Sequence, residues 1–256
     1  MGEKNPTCSR VIIIDGIIGA GKTVLATCLA DELESRGWNV CVILEPVKQW
    51  VDVGILQLFY SDPVRYGYSF QSFVYATRIM AIELAVRMKP HADFYILERS
   101  PVTDAIFMEL QRGVIDPVEF KMYESWRQAL KTVLSLETAQ VLFLRTSLET
   151  CMSRIALRNR DGEIRDGEIR DGGVRDGALP ATATGGVSIE YQRRLQRAHE
   201  AFFQRLHKED FPLMPECPFA PSALIEIGPE LADANYCDKG AEQARVINTI
   251  IDMLDV

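Results

Sequence analysis

Residues 11–23 read VIIIDGIIGAGKT, and this segment is the strongest indication of the architecture of the chain. Its first four residues are all β-branched, and such a run is typical of a buried parallel strand. Residues 16–23 then match the pattern G-x-x-x-x-G-K-[ST], in which glycines let backbone N–H groups turn inward around phosphate oxygens. An ordinary glycine-rich turn could match by chance, but this one follows a predicted strand and precedes a predicted helix. The context therefore favours a phosphate-binding loop at the positive end of that helix.

The sequence on the carboxyl side of this loop alternates between helices and strands. Leu25, Leu29 and Leu33 recur every four residues and predict a helix over residues 24–36, which Gly37 ends. A second strand is predicted over residues 40–44. Further strands are predicted at 94–97, 141–144 and 224–227, and further helices at 68–89, 103–111, 117–136, 148–158, 189–208 and 241–254. Strands separated by helices in this way predict an α/β fold with a five-stranded parallel sheet covered on both faces.

Length, charge and cysteine usage narrow the class of protein. The chain has 256 residues, 47% hydrophobic and 25% charged, as expected of one α/β domain spanning residues 1–256. A net charge of -8 argues against a protein that coats nucleic acid, whereas a small anion such as ATP needs only a local cationic pocket. The six cysteines form no C-x-x-C pair, which indicates a reducing compartment and no zinc site. A polar start and no apolar run of about 18 residues predict a cytoplasmic protein with no membrane contact.

One segment departs from the alternation of strands and helices. Residues 160–178 repeat Arg-Asp-Gly in four copies at intervals of five residues. Each copy carries glycine and balanced charge, which predicts an expanded loop rather than a domain boundary.

Several further blocks of sequence, in order, carry a resemblance to a known family. They are E-P-V-x-x-W at 45–50, F-Q-S at 70–72, E-R-S at 98–100 and an arginine-rich helix before the repeat. With the phosphate-binding loop, these blocks resemble the deoxynucleoside kinase family from about residue 11 to about residue 203. That family includes deoxycytidine, deoxyguanosine and mitochondrial-type thymidine kinases. The resemblance implies a sheet of order 2-3-1-4-5, an active site at the carboxyl ends of the strands, a lid over about residues 154–187, and a homodimer formed through two long helices.

The loop motif and the resemblance together predict ATP as phosphoryl donor, with Mg²⁺. Lys22 is expected to reach the β and γ phosphates, and Thr23 to place its hydroxyl on magnesium. Glu98 resembles the family's acidic residue on the magnesium side. The predicted ATP-binding residues are Gly16, Gly19, Ala20, Gly21, Lys22 and Thr23 of the loop and Arg154, Arg158 and Arg160 of the lid.

Glu45, Arg99 and Lys22 are the predicted catalytic residues. The resemblance implies that Glu45 acts as general base on the substrate hydroxyl, and that Arg99 contacts the transferring phosphate and braces Glu45. A solvated glutamate at a strand end and a merely structural pair of Glu98 with Arg99 are the plainer alternatives. The histidines at positions 91, 199 and 207 show no triad or metal spacing, and we expect them to be surface or core residues.

The predicted nucleoside pocket combines aromatic side chains with a few polar ones. By resemblance it comprises Glu45, Trp50, Tyr60, Phe70, Gln71, Arg78, Arg99, Asp104, Phe107 and Glu163. Gln71 offers a donor and an acceptor and can form paired hydrogen bonds with a base. Tyr60 is expected to bind the sugar 3′-hydroxyl together with Glu163, or with Glu168 in the next copy of the repeat. Ordinary core packing is the alternative for each aromatic residue taken singly.

Arg78 and Asp104 are expected to set the base preference. Arg78 lies seven residues after Gln71, which returns it to nearly the same helix face. A buried arginine requires a carboxylate, and Asp104 is the family's matching position. Members with this pair accept deoxycytidine and purine deoxynucleosides, so the resemblance favours these substrates over thymidine. Alternatively, Arg78 could reach the surface and Asp104 could merely favour the start of a helix.

The predicted function is phosphorylation of the 5′-hydroxyl of a deoxyribonucleoside by ATP, in nucleotide salvage. A thymidylate-type nucleoside monophosphate kinase is the rival enzyme, although such enzymes usually have Asp-Arg-Tyr where this chain has E-R-S at 98–100. A non-catalytic nucleotide-binding switch is the rival from another class, and the presence of Glu45 and the lid arginines speaks against it.

Overall fold

A five-stranded parallel sheet lies at the centre of the protein, in a computed structural model that describes residues 9–130, 136, 139–158, 186–207, 224–234 and 240–256. The strands are β1 (Arg10–Gly16), β2 (Val40–Ile43), β3 (Phe94–Glu98), β4 (Gln140–Leu144) and β5 (Leu224–Ile227). Their order is β2-β3-β1-β4-β5, and each neighbouring pair is parallel. The predicted fold class and strand order are therefore confirmed.

Helices cover both faces of the sheet. They are α1 (Lys22–Ser35), α2 (Val47–Asp52), α3 (Ile55–Ser61), α4 (Pro63–Met88), α5 (Asp104–Glu109), α6 (Pro117–Ala129), α7 (Leu148–Arg158), α8 (Ile189–His207), α9 (Pro229–Ala232) and α10 (Ala241–Met253). Along β1, Ile12 and Ile14 join the core formed with α1 and α10, whereas Val11 and Ile13 join the core on the α4 side. Burial on both faces explains the unbroken β-branched run. Within the described residues, no helix has the length and apolar content needed to cross a bilayer.

Two helix boundaries differ from the sequence prediction by more than two residues. Helix α4 begins at Pro63 rather than residue 68, because the Asp62 side chain accepts a hydrogen bond from the Arg65 backbone N–H at 3.0 Å. Aspartate before the helix and proline at its first position are both favourable start signals. Helix α6 ends at Ala129 rather than residue 136, because Leu130 takes an extended backbone with φ -92° and ψ 94°.

The short helices α2, α3 and α9 were not predicted. Each spans seven residues or fewer, which is too short for an apolar period to stand out in the sequence. The predicted end of α1 is confirmed, since Gly37 has φ of 86° and the Trp38 N–H donates to the Leu33 carbonyl at 3.1 Å.

The carboxyl ends of three neighbouring strands bring the predicted motifs together. The phosphate-binding loop follows β1, Glu45 lies two residues beyond β2, and Glu98 ends β3. Ile14 of β1 is in register with Glu98, so these segments leave the sheet at the same edge. Because β1 lies between β3 and β4, the connections on its two sides diverge there and leave a crevice, as open α/β sheets do at their binding sites.

Candidate active site

A cleft opens at this edge of the sheet, and we call it the central cleft. It encloses about 710 Å³ of empty space, including the part that is open to solvent. Its walls are formed by Ile18, Gly19, Lys22, Glu45, Val47, Trp50, Leu56, Phe59, Tyr60, Phe70, Gln71, Val74, Arg78, Glu98, Arg99, Asp104, Phe107, Arg158 and Tyr191. The walls therefore combine an aromatic part with a compact group of charged side chains.

The phosphate-binding loop has the backbone form that its glycines allow. Gly16, Gly19 and Gly21 have φ of 152°, 82° and 98°, values that other residues rarely adopt. A Cβ at Gly19 would lie 2.5 Å from the carbonyl oxygen of Cys151 in α7. The glycines are thus required both for the turn and for the close approach of α7.

Lys22 is the first residue of α1, and its side chain folds back over the phosphate-binding loop. Its Nζ donates to the carbonyl oxygens of Ile17 at 3.0 Å and Gly16 at 3.3 Å. Burial and the charge of Arg99 lower the pKa of Lys22 to about 8. Since the side chain also lines the central cleft, its ammonium group is positioned to meet an anion there.

Thr23 and Glu98 meet beside Lys22. The Thr23 hydroxyl, in the first turn of α1, donates to Glu98 Oε1 at 2.7 Å. A hydroxyl and a carboxylate are hard oxygen ligands of the kind that Mg²⁺ prefers. The residues present at this point therefore fit a magnesium ion next to the phosphate-binding loop.

Glu45 lies between two arginines in the central cleft. Its Oε1 accepts a hydrogen bond from Arg78 Nη2 at 2.5 Å and lies 3.3 Å from Arg99 Nε. Burial opposes ionisation of this carboxyl, but the charges of Arg99, Arg78 and Lys22 outweigh it and hold the pKa of Glu45 below its usual range. Glu45 is thus an ionised carboxylate at neutral pH, fixed on the cleft wall and able to accept a hydrogen bond from a hydroxyl.

Arg78 is shared by two carboxylates. It is only 4% exposed and also donates from Nη1 to Asp104, so it does not reach the surface. Burial opposes its charge, yet Asp104 and Glu45 raise the pKa of Arg78. Burial also raises the pKa of Asp104 to about 6 against the attraction of Arg78, and the charge of Glu45 adds to that rise. Of the two carboxyls, Glu45 therefore keeps its charge and Asp104 is the weaker acid.

Arg99 follows β3 with a left-handed backbone, φ 64°. For a non-glycine residue this conformation costs on the order of 1–2 kcal/mol and persists only where surrounding contacts hold it. Those contacts are a hydrogen bond from Nη1 to Asp15 Oδ1 at 3.0 Å, a 3.3 Å contact with His199 Nε2, and the Phe107 ring centred 4.6 Å from Cζ. With this backbone conformation at Arg99, the Nε of its guanidinium faces Glu45.

Aromatic side chains form another part of the cleft lining, which we call the aromatic wall. Phe59 and Phe70 stack with ring centroids 4.4 Å apart, and Trp50 meets Phe70 edge-on at 6.1 Å. The Trp50 indole donates to the Thr77 hydroxyl at 2.9 Å, which fixes the ring. Gln71, 3% exposed, presents its amide on the same wall. A flat heteroaromatic ring could stack on this wall while the amide reads its edge.

Of the arginines predicted for the lid, two lie within the described residues, and they occupy different places. Arg158 lines the central cleft. Arg154 lies one helical turn earlier and donates to the carbonyl oxygens of Ala20 at 3.0 Å and Ala234 at 2.8 Å. Thr146 donates to the same Ala20 carbonyl at 2.9 Å. Arg154 therefore joins the phosphate-binding loop to the segment after β5.

Comparison with known proteins decides the family. Residues 12–169 match the sequence profile of the deoxynucleoside kinase family. This chain is a deoxynucleoside kinase family member. It is 26% identical to the probable deoxycytidine kinase of Fowlpox virus (strain NVSL), covering 96% of this chain and 88% of that one. It is also 26% identical to human deoxycytidine kinase, covering 82% and 81%, and 28% identical to the thymidine kinase of Ictalurid herpesvirus 1 (strain Auburn), covering 78% and 79%.

Membership of this family establishes the general activity of the protein. The kinase is an ATP-dependent phosphotransferase that phosphorylates nucleosides for salvage. Its relatives are named for different nucleosides, so the family alone leaves the preferred base open. The predictions of the family, the enzyme class and ATP as phosphoryl donor are confirmed.

Most of the residues predicted for the site come together in the folded kinase. Those on the wall of the central cleft are Gly19, Lys22, Glu45, Trp50, Tyr60, Phe70, Gln71, Arg78, Glu98, Arg99, Asp104, Phe107 and Arg158. Gly16, Ala20, Gly21 and Thr23 form the adjoining loop and helix start, and Arg154 binds that loop from outside the cleft. Arg160, Glu163 and Glu168 lie outside the described residues.

Sequence reasoning missed several residues at or behind the cleft. Phe59 and Tyr191 line it, while Asp15 and His199 are fully buried behind Arg99. The signal for Asp15 was readable, since it is a carboxylate that directly follows four apolar residues of a buried strand and needs partners there. His199 was predicted only as a surface or core residue, and its position next to Arg99 depends on how α8 docks.

Proposed function

We propose that this kinase transfers the γ-phosphoryl group of ATP to the 5′-hydroxyl of a deoxyribonucleoside, with deoxycytidine or a purine deoxynucleoside favoured over thymidine. The observation that carries the proposal is the position of Glu45, held by two arginines on the wall of the same cleft as Lys22. The phosphate-binding loop can hold the donor and the ionised carboxylate can orient the acceptor hydroxyl, while the aromatic wall offers a surface for a nucleoside base.

In this mechanism Glu45 orients the 5′-hydroxyl and takes its proton. A new bond forms between the 5′-oxygen and the γ-phosphorus. The bond between that phosphorus and the oxygen that bridges it to the β-phosphate breaks, and ADP leaves. Lys22 and the amides of the phosphate-binding loop hold the β and γ phosphates. Arg99, 3.3 Å from Glu45, contacts the transferring group. Because the pKa of Glu45 is low, it takes the proton only late in the transfer, and its main part is to hold the hydroxyl in place.

A magnesium ion is the proposed metal partner of ATP. Thr23 would supply its hydroxyl and Glu98 its carboxylate, directly or through water, and the 2.7 Å contact between their oxygens supports this. The ion would neutralise negative charge that develops on the phosphates. Arg158 of the cleft wall, with Arg160, would add positive charge from the lid, and arginines in such positions contribute roughly 10³–10⁵ to rate.

The nucleoside is proposed to lie on the aromatic wall. Trp50, Phe70 and Phe107 would enclose the base, and Gln71 would bond its edge. Tyr60 would meet the sugar 3′-hydroxyl, with Glu163 as its partner.

The preference for deoxycytidine or a purine follows from the charged pair beside the base. Arg78 and Asp104 are buried, bonded to each other and on the wall next to Gln71. A guanidinium held in place donates N–H groups in a fixed fork, and the adjoining carboxylate accepts from an exocyclic amine. Cytosine and adenine carry such an amine, whereas thymine carries a methyl group that the pair cannot bond.

Product analysis with each of the four deoxynucleosides and labelled ATP tests the proposal. We expect the highest kcat/KM with deoxycytidine or a purine deoxynucleoside and a clearly lower value with thymidine. The corresponding monophosphates, supplied in parallel, should not be phosphorylated. Thymidine as the best substrate would contradict the base assignment, and turnover of monophosphates alone would replace the nucleoside with a nucleotide as acceptor.

We also propose that two copies of the chain pair through α4 and α6. These helices pack together, with the Tyr75 and Tyr123 rings 5.9 Å apart. Each also carries an exposed apolar row: Met80, Leu84 and Met88 on α4, and Val118, Met122 and Trp126 on α6 with Leu130 directly after it. We call these rows the α4–α6 face. Exposed apolar residues repeated at helical spacing are typical of a surface that another subunit covers.

A further inference from the structure

A buried charged cluster lies directly behind the catalytic arginine. Asp15 at the end of β1 and His199 of α8 are both fully buried, and Arg99 is 3% exposed. Arg99 Nη1 lies 3.0 Å from Asp15 Oδ1 and 3.3 Å from His199 Nε2. Asp15 Oδ1 also accepts from the Gly16 backbone N–H at 2.6 Å, so it is tied to the first residue of the phosphate-binding loop.

The partners of His199 determine which of its nitrogens carries the proton. Its Nδ1 lies 2.8 Å from the Leu195 carbonyl oxygen, which can only accept, so Nδ1 is the donor. Burial lowers the pKa of His199 in spite of the nearby Asp15, which favours the neutral ring. Nε2 of a neutral ring with this tautomer is an acceptor. One N–H of Arg99 Nη1 therefore goes to Asp15 and the other to His199.

We propose that Asp15 and His199 are positioning residues, which hold the Arg99 guanidinium against Glu45 and thereby fix the aim of that carboxylate at the substrate hydroxyl. The inference rests on the proposed role of Glu45 and adds two residues that do not line the central cleft. Asp15 and His199 both contact Nη1 of the guanidinium, whereas its Nε lies 3.3 Å from Glu45. With Nη1 released, the long arginine side chain has rotamer freedom and the Glu45 carboxylate loses one of its two cationic supports.

The surroundings of His199 fit this role. Its ring lies among three phenylalanines, with centroids 5.7 Å from Phe107, 6.2 Å from Phe143 and 6.5 Å from Phe203. Phe107 also lies under the Arg99 guanidinium, so the ring that orients the arginine is itself packed on the histidine. A histidine placed among phenylalanines only to fill space would need no polar contacts, whereas both nitrogens of this one have partners.

The same helix also reaches the phosphate-binding loop. Gln192, two turns before His199 in α8, donates from Nε2 to the Ile18 carbonyl oxygen at 2.5 Å. Through Gln192 and His199, α8 contacts the loop and the arginine that braces Glu45. The packing of α8 therefore sets the distance between the phosphate-binding loop and the Glu45 carboxylate. In-line transfer depends on that distance.

Replacement of His199 tests the proposal. His199→Phe keeps the ring packing and removes the acceptor, whereas His199→Gln can place its amide oxygen near the position of Nε2. We expect kcat to fall about 10–100-fold in His199→Phe, the size expected of a misplaced reacting group, with KM for ATP and for the nucleoside within about threefold of wild type. His199→Gln should recover most of the lost kcat. Arg197→Gln, on the exposed side of the same helix, is the control and should behave as wild type.

Two results would overturn the proposal. One is a kcat of His199→Phe within about twofold of wild type. The other is a parallel loss of kcat, ATP-analogue affinity and melting temperature in both His199 variants, which would assign the residue to general stability. His199→Leu provides the same comparison should the larger ring prevent folding. Wild-type turnover is measured in the same assay, so an inactive wild type would refute the proposed function instead.

Discussion

Glu45 is the residue on which the proposed chemistry depends. In Glu45→Gln the side chain keeps its size but loses the charge that pairs with Arg78 and Arg99. We expect kcat to fall about 10²–10⁴-fold, the usual cost of removing a general base. ATP affinity should survive, because the phosphate-binding loop is untouched. Turnover is measured by nucleoside-dependent ADP release, and affinity by titration with a fluorescent ATP analogue.

A matched control for this substitution is Glu34→Gln, the same chemical change on the exposed side of α1. The control should retain wild-type turnover. A Glu45→Gln variant with near-normal kcat would show that the carboxylate is not needed, and the assignment of the base would be wrong.

Asp15 should make stability depend on pH in the acid range. Burial opposes its ionisation, but the charge of Arg99 and the hydrogen-bond donors around the carboxylate outweigh burial and hold the pKa of Asp15 far below its usual value. The pKa of an aspartate in the unfolded chain is about 3.9. A carboxyl whose pKa is lower in the folded state stabilises the fold at any pH above that value. This stabilisation is lost as the pH falls towards the pKa of the folded state. Wild type should therefore exceed Asp15→Asn in free energy of unfolding by on the order of 2 kcal/mol at neutral pH.

Urea unfolding at several pH values measures this difference. The gap between wild type and Asp15→Asn should stay constant from about pH 7 to pH 5 and shrink below about pH 4. A gap that widens as the solution is acidified would contradict the predicted sign.

At the scale of the element, the phosphate-binding loop depends on its contact with α7. Gly19→Ala would place a Cβ 2.5 Å from the Cys151 carbonyl oxygen and would force alanine into φ of 82°. The loop must then shift, so we expect ATP affinity to fall at least tenfold, or about 1.4 kcal/mol. Binding of an ATP analogue and thermal unfolding measure the two consequences.

Gly37→Ala is the control for the backbone part of this effect. Gly37 has φ of 86°, close to that of Gly19, but nothing lies within 4 Å of its Cβ position. The Gly37→Ala variant should lose about 1 kcal/mol of its free energy of unfolding and keep the ATP affinity of the wild type. Equal ATP affinities in the two variants would mean that the contact with α7 does not shape the loop.

Elements with long periodic patterns were predictable, and those fixed by single side chains were not. The strands and the amphipathic helices follow from apolar spacing alone, whereas the start of α4 depends on Asp62 as its cap. The pairing of Arg78 with Asp104 was predicted, because a buried arginine demands a carboxylate and the family resemblance matched Asp104 to it. The contact of His199 with Arg99 could not, because it spans 100 residues and depends on how α8 packs.

At the scale of the whole molecule, the parallel sheet explains why distant motifs could be assigned to one site. Every strand ends at the same edge, so residues that follow different strands must meet there. Position along the chain predicted this meeting for Lys22, Glu45 and Glu98. It could not predict which side chains would turn away, as Arg154 does when it binds the Ala20 carbonyl oxygen.

The proposed pairing of two molecules through the α4–α6 face is tested by Trp126→Glu. Trp126 lies in the middle of the α6 row and is about half exposed, at 49%. In a two-fold symmetric interface each substitution occurs twice, so two desolvated carboxylates would enter the contact. We expect wild type to sediment as a dimer and Trp126→Glu as a monomer at micromolar concentration. Val53→Glu, an equally apolar exposed position outside the face, is the control and should stay dimeric. A monomeric wild type would refute the pairing, whereas a dimer untouched by Trp126→Glu would place the interface elsewhere on the molecule.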